Sequence, residues 1–200
     1  MISALVLTLV LSVPRSTGET ATGAGNVADN CNITKFYSTT DASWTYNTTK
    51  RTSYTCVRDV THSITNVNVI YTRYSTLGSS PRYSLLKGVF VQNNTEGSRM
   101  EKDLYNAMDV FDEDGELWWR ERLEYATDDC SCGVFSVMIR TRNRVKTSYD
   151  LRLKNSTVES LHYKTCFEKF KALSINDTVT QLYTPDCQQM FRASSSVLPI

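Results

Sequence analysis

Histidine, proline and glycine are scarce in this chain: 200 residues include 2 His, 4 Pro and 8 Gly. A sequence so poor in Pro and Gly is neither collagen-like nor low-complexity. With aromatics at 10% it carries too much core-forming material for a disordered segment or a coiled coil. Excess charge is missing too. Lys+Arg total 22 against 21 Asp+Glu, a formal net charge of +1. That balance offers no basic surface to nucleic acid or to an anionic membrane. After the first residues no apolar run approaches the roughly 20 residues that span a bilayer. G-x-S-x-G, H-E-x-x-H, the P-loop and the Gly-rich dinucleotide pattern are all absent. His62 follows a strand beside Asp59 and His162 falls on a helix, so neither reads as the base of a triad. No enzyme, no cofactor and no metal is therefore expected.

What the chain does carry points outside the cell. Ala4 to Val13 is a short apolar run, followed by the small residues Ser16, Thr17 and Gly18 that a signal peptidase accepts. Residues 1–18 read as a signal peptide. Five N-x-S/T sequons, headed by Asn32, Asn47, Asn93, Asn155 and Asn176, fit a secreted glycoprotein. In that compartment Cys31, Cys56, Cys130, Cys132, Cys166 and Cys187 read as three disulfides. Cys130 and Cys132 are poor partners for each other, because a C-x-C ring is strained. A zinc site would want C-x2-C spacing or nearby His ligands, and has neither.

Eight segments rich in Val, Tyr, Thr, Ile and Trp read as strands. They cover residues 42–50, 53–60, 67–74, 83–92, 104–111, 116–126, 133–140 and 146–153. Asp114-Gly115 marks a hairpin between the fifth and sixth. Residues 158–173 instead place Leu161, Thr165, Phe167, Phe170 and Leu173 at helical intervals. Eight consecutive strands and one late helix predict an all-β domain with one C-terminal helix, an eight-stranded antiparallel up-and-down barrel. Such a barrel holds one small ligand; a β-sandwich is the alternative. The expected layout is a leader at 1–18, an N-terminal arm with a short helix at 19–41, and one barrel domain at 42–200 with a disulfide-tied tail. A monomer is expected.

Strand alternation assigns faces. A glycan on Asn47 must reach solvent, which turns Trp44, Tyr46 and Thr48 inward, Trp44 either plugging the floor or touching ligand. On the sixth strand Leu117, Trp119, Leu123 and Tyr125 share a face with Glu121, and Trp118, Arg120, Arg122 and Glu124 share the other. The first is the more apolar and should be inside, which makes Glu121 a buried acid in need of a cation or a hydrogen-bond donor. Asp112, Glu113, Asp114 and Glu116 read as a solvated hairpin tip.

The chain resembles the salivary lipocalins of ticks, the family of the histamine-binding proteins. Trp44-Thr45-Tyr46-Asn47-Thr48-Thr49, Tyr54-Thr55-Cys56-Val57, Cys132-Gly133-Val134, Cys166-Phe167-Glu168-Lys169-Phe170 and Tyr183-Thr184-Pro185-Asp186-Cys187 carry the resemblance, in order and in Cys spacing. It implies the pairs Cys56–Cys187 and Cys132–Cys166, with Cys31 then meeting Cys130 unless Cys130 and Cys132 exchange roles. It also implies a secreted protein that sequesters a small host mediator, an amine such as histamine or serotonin or an acidic lipid such as a leukotriene. A host plasma protein such as a complement component is the alternative partner. The amine-binding pattern, Cys-Asp-aliphatic followed by Glu-aliphatic-Trp, is broken. Gly133 stands where the Asp is expected, and Asp150-Leu151-Arg152 follows. Family acids also occupy the first interstrand loop, where this chain has Lys50 and Arg51, and the sixth strand, where alignment from the Asp114-Gly115 turn brings Arg120 rather than Glu121 to the site. The expected ligand-facing residues are Trp44, Tyr46, Trp119, Arg120, Glu121, Asp150 and Arg152. Arg120 and Arg152 inside would favour an acid; Glu121 and Asp150 inside would favour an amine.

Overall fold

The structure is a computed structural model that describes residues 31–92, 105–158, 160 and 163–189. The leader, the arm up to residue 30, the Asn93 sequon, Leu161 and His162 lie outside the described residues. Eight long strands follow one another: β1 (Ser43–Thr48), β2 (Tyr54–Ile64), β3 (Asn68–Leu77), β4 (Ser80–Gln92), β5 (Tyr105–Phe111), β6 (Leu117–Ala126), β7 (Cys132–Thr141) and β8 (Arg144–Lys154). Each pairs antiparallel with its neighbour, and β1 closes the circle by pairing with both β8 and β2. The result is a closed up-and-down barrel without free edges. A further two-residue strand, β9 (Thr180–Gln181), pairs with β1 and was not apparent in the sequence.

Helices occupy three places. α1 (Ile33–Tyr37) is capped by Asn32, whose side chain accepts from the Lys35 amide at 2.8 Å. It buries Ile33, Phe36 and Tyr37 in the end of the barrel near the β2–β3 and β6–β7 turns. The predicted helix at 158–173 is two: α2 (Asn155–Val158) and α3 (Lys164–Leu173). Ser160 N bonds back to Thr157 O in a turn between them. α3 buries Cys166 and Phe170 against the outside of the barrel.

The chain therefore has two apolar layers. One fills the barrel, around Tyr37, Tyr71, Met108, Leu123 and Phe135. The other lies between the barrel wall, α3 and the tail, around Trp44, Val134, Leu151, Leu153 and Phe170. Three disulfides fix the pieces. Cys31–Cys130 holds α1, Cys132–Cys166 holds α3 to β7, and Cys56–Cys187 holds the tail to β2, with sequence separations of 99, 34 and 131. In the chain-entropy picture each is worth about 4–5 kcal/mol on its own.

Candidate functional site

Alternation along the strands sends a set of charged side chains into the barrel, and where the ladder bulges the set changes phase. On β8, Leu151 and Leu153 join the outer layer, so Asp150, Arg152 and Lys154 point inward. Glu121 points inward from β6, Arg73 from β3 and Asp59 from β2. Arg152 donates to Glu121 through both terminal nitrogens, at 2.6 and 2.9 Å, and to Asp150 Oδ2 at 2.9 Å. Arg73 clasps Asp59 with two bonds of 2.7 Å and reaches Glu121 at 3.1 Å. Trp119 Nε1 and the Tyr37 hydroxyl also donate to Glu121, at 2.8 and 3.1 Å. Arg152 Nη1 in turn donates to the Tyr37 oxygen at 2.9 Å. The network forms a charged floor across the barrel.

Electrostatics follow from that packing. Burial by itself raises the Glu121 carboxyl, but Arg152 and Arg73 outweigh it and hold Glu121 well below the usual carboxylate range. Burial works against Arg152 and Arg73 as well, and their acidic partners overcome it, so both guanidiniums stay charged. Tyr71 is fully buried beside this floor, and its hydroxyl has no hydrogen-bond partner among the described residues.

Above the floor the barrel opens into a cavity of about 310 Å³. Its walls include Leu86, Trp118, Trp119, Val137 and Tyr54. Thr45, Thr48, Ser75 and Ser84 supply hydroxyls. Four charged residues line it: Lys50, Arg73, Arg82 and Asp150. Asp150 is already engaged by the Thr48 hydroxyl at 2.7 Å and by Arg152. Lys50 lies 6.0 Å from the centre of the Trp119 ring and, like Arg82, has no ion pair among the described residues. Burial lowers the Lys50 ammonium from its ordinary value, and Arg73 beside it lowers it further against the opposing pull of Asp150 and Glu121. No group of three or more His, Cys, Asp or Glu among the described residues is placed to hold a metal ion.

The expected site residues divide. Trp119, Glu121, Asp150 and Arg152 face the interior. Arg120 does not: it points outward from β6 and pairs with Asp109 at 2.7 and 2.8 Å. Alternation from the apolar face, not counting from the Asp114-Gly115 turn, gives the correct register. Glu121 and Asp150, the pair expected for an amine, are both inside, while of the pair expected for an acid only Arg152 is inside and Arg120 is not.

Trp44 and Tyr46 are also corrected. Trp44 packs outside the barrel against Tyr183, with ring centres 5.1 Å apart, and donates to Asn155 Oδ1 at 2.8 Å. Tyr46 stacks on Tyr183 at 5.7 Å and accepts a bond from Tyr163. The β1–β8 register shifts between Thr45 and Asn47, so Thr45 and Thr48 face inward while Trp44 and Tyr46 do not. Asn47 does not point into solvent: it lies opposite Leu151 and Gln181 and is only 7% exposed. A similar shift between Leu123 and Tyr125 turns Tyr125 outward, beneath Lys169. Leu117 sits at the rim, exposed.

Asp59, Arg73, Tyr37 and Tyr71 were missed. Arg73 had a signal: it shares a strand face with Val69 and Tyr71, and a cation on an apolar face is buried and seeks an acid. Tyr37 had none beyond its place in a short capped helix.

No protein-family model matches the chain, and no curated protein matches it. Solved structures do. The serotonin complex of AM182 superimposes with a TM-score of 0.58 at 13% identity, covering 81% of this chain and 95% of that one. H1 crustacyanin from the lobster Homarus americanus gives 0.52 at 13% identity, covering 78% and 82%. Japanin from Rhipicephalus appendiculatus, bound to cholesterol, gives 0.50 at 10% identity, covering 74% and 96%. The fold is that of a lipocalin. At these identities the likeness fixes the lipocalin barrel and leaves the ligand to be argued from this chain's own cavity.

Proposed function

We propose that this lipocalin is secreted and sequesters a small acidic amphipath, a carboxylate on an apolar body of the kind found in acidic lipid mediators, in the open end of its barrel. One observation carries the reading. Three cations, Lys50, Arg73 and Arg82, and a single acid line the cavity, and that acid already accepts hydrogen bonds from Arg152 and Thr48. A carboxylate entering here finds Lys50 and Arg82 without acidic partners, while Trp118 and Trp119 offer the apolar body a surface.

An amine needs a free carboxylate. Glu121 and Asp150 do face inward, as the amine alternative required. Yet Glu121 accepts five hydrogen bonds, from Arg152 twice and from Arg73, Trp119 and Tyr37 once each. A biogenic amine would have to displace a buried guanidinium to reach it, leaving that charge uncompensated. Three disulfides suit an extracellular protein. The resemblance to tick salivary lipocalins supplies the setting, removal of a host mediator at a feeding site.

Calorimetric titration tests the proposal. A leukotriene and a long-chain fatty acid are expected to bind, and changing Lys50 and Arg82 together to Met should weaken them at least about tenfold. Histamine and serotonin are expected to give no heat. Tight amine binding with no response to the acids would overturn it.

A further inference from the structure

The open end of the barrel carries a second feature, which shares Arg82, Tyr83 and Trp118 with the cavity and extends beyond it. The loop after β1 and the turns β3–β4, β5–β6 and β7–β8 all lie at this end. They bring exposed apolar side chains to the rim: Leu77, Tyr83, Leu117, Trp118 and Val145 are 39–75% exposed. Beside them stands the β7–β8 hairpin, where Arg140, Arg142, Arg144 and Lys146 fall within one short stretch. All four are exposed, and none has an ion pair among the described residues. Arg51 and Arg82 add to the same end. The opposing acids are Asp112, Glu113, Asp114 and Glu116 of the β5–β6 turn, which the cations outnumber; Asp109 is taken by Arg120. The even net charge of the whole chain conceals this segregation.

We propose that this rim docks the barrel mouth on an anionic lipid bilayer. Charge complementarity sets the sign of the partner, and the apolar side chains decide its kind. A soluble sulfated polysaccharide would engage the hairpin cations and leave Leu117, Trp118 and Val145 in water. A bilayer interface takes both: aromatic and aliphatic tips enter the headgroup level while Arg and Lys meet anionic lipids. No helix among the described residues is long and apolar enough to cross a membrane, so the attachment is peripheral. The docking stands on the rim alone. Only its purpose, placing the cavity where an acidic lipid leaves the leaflet, rests on the proposed function.

The test uses the full chain, expressed through a secretory host with its disulfides formed and without added ligand. It is sedimented with vesicles of phosphatidylcholine containing about 30% phosphatidylserine, at about 0.1 M salt. Most of the protein is expected in the pellet, with tryptophan emission shifted to the blue, and little with pure phosphatidylcholine. Arg142→Glu with Arg144→Glu, and separately Leu117→Asp with Val145→Asp, should each reduce binding roughly fivefold or more. None of these four residues lines the ligand cavity, so fatty-acid affinity in solution should stay unchanged and reports the ligand reading separately. Absence of pelleting overturns the docking. So does pelleting that ignores the Leu117 and Val145 changes, which would make the hairpin a general polyanion site.

Discussion

Arg152 on β8 and Glu121 on β6 meet inside the barrel through two hydrogen bonds, 2.6 and 2.9 Å long, with neither side chain open to solvent. The pair is the centre of the floor that closes the cavity. Breaking it from one side leaves a buried charge. Glu121→Leu or Arg152→Met alone is expected to cost about 3–5 kcal/mol in urea unfolding, whereas the two together should cost clearly less than the sum of the singles, because neither member of the pair then faces an empty partner and only Asp150, which keeps Thr48, loses its cation. Arg73 keeps Asp59 in the double variant. A double variant as damaged as the sum of the singles would mean that the pair does not act as a unit.

Acid should weaken the protein through the same residue. Glu121 is held well below 4.5, the ordinary value that it regains on unfolding. Its pKa is depressed in the folded state, so its contribution is complete above about 4.5 and is lost progressively as pH falls below it. Unfolding midpoints measured from neutral pH down to about pH 3 should fall, and the fall should be shallower in Glu121→Gln. An unchanged slope would place the acid lability elsewhere.

The barrel was legible because eight β-rich segments in a row leave few alternatives, and the segment boundaries hold to within a few residues. The face of each strand was harder to read. Beneath α3 and the tail the wall is apolar on its outer side, with Trp44, Leu151 and Leu153, and polar or charged inside, with Thr45, Asp150 and Arg152, so the apolar face of these strands is not the interior one. Bulges near Tyr46 and Glu124 then shift the phase, which one strand's sequence does not announce. Glu121 was readable because its own face was apolar throughout. The partners Asp59, Arg73 and Tyr37 come from three separate elements, and only the closed topology brings them to Glu121.

Ligand binding should depend on pH through Lys50. Its ammonium is lowered from the ordinary lysine value by burial and by Arg73. The charged form is present below that lowered value and lost above it, so the affinity for a fatty acid should be flat near neutral pH and decline on the alkaline side. Lys50→Met should bind more weakly and lose the decline. Parallel pH curves for the two proteins would remove Lys50 from the site.

Tyr71 offers a contrast to the ion pairs. Its hydroxyl is fully buried with no hydrogen-bond partner among the described residues, while its ring packs 5.3 Å from that of Tyr37. An unmet buried hydroxyl carries a desolvation penalty of about 1–3 kcal/mol. Tyr71→Phe should therefore leave stability unchanged or raise the melting temperature. A clear loss would show that the hydroxyl has a partner in solution, such as a bound water.

Gly133 explains why the missing acid of the amine pattern is not simply replaced. A Cβ there would come within 3.0 Å of Leu123 and Phe135 and 3.2 Å of Phe36. The space is already filled by α1, whose Phe36 packs edge-on against Phe135 with ring centres 5.0 Å apart. Gly133→Ala should cost about 1–3 kcal/mol as an overpacking change. Shortening Phe36 to Ala in that background should recover part of the Gly133→Ala cost, seen as a coupling between the two sites. Gly133→Asp adds a buried acid without space or an open path, so it should lower the melting temperature and confer no histamine binding. A stable Gly133→Asp protein that binds histamine would mean that α1 yields to a ligand, and that the cavity extends below its charged floor.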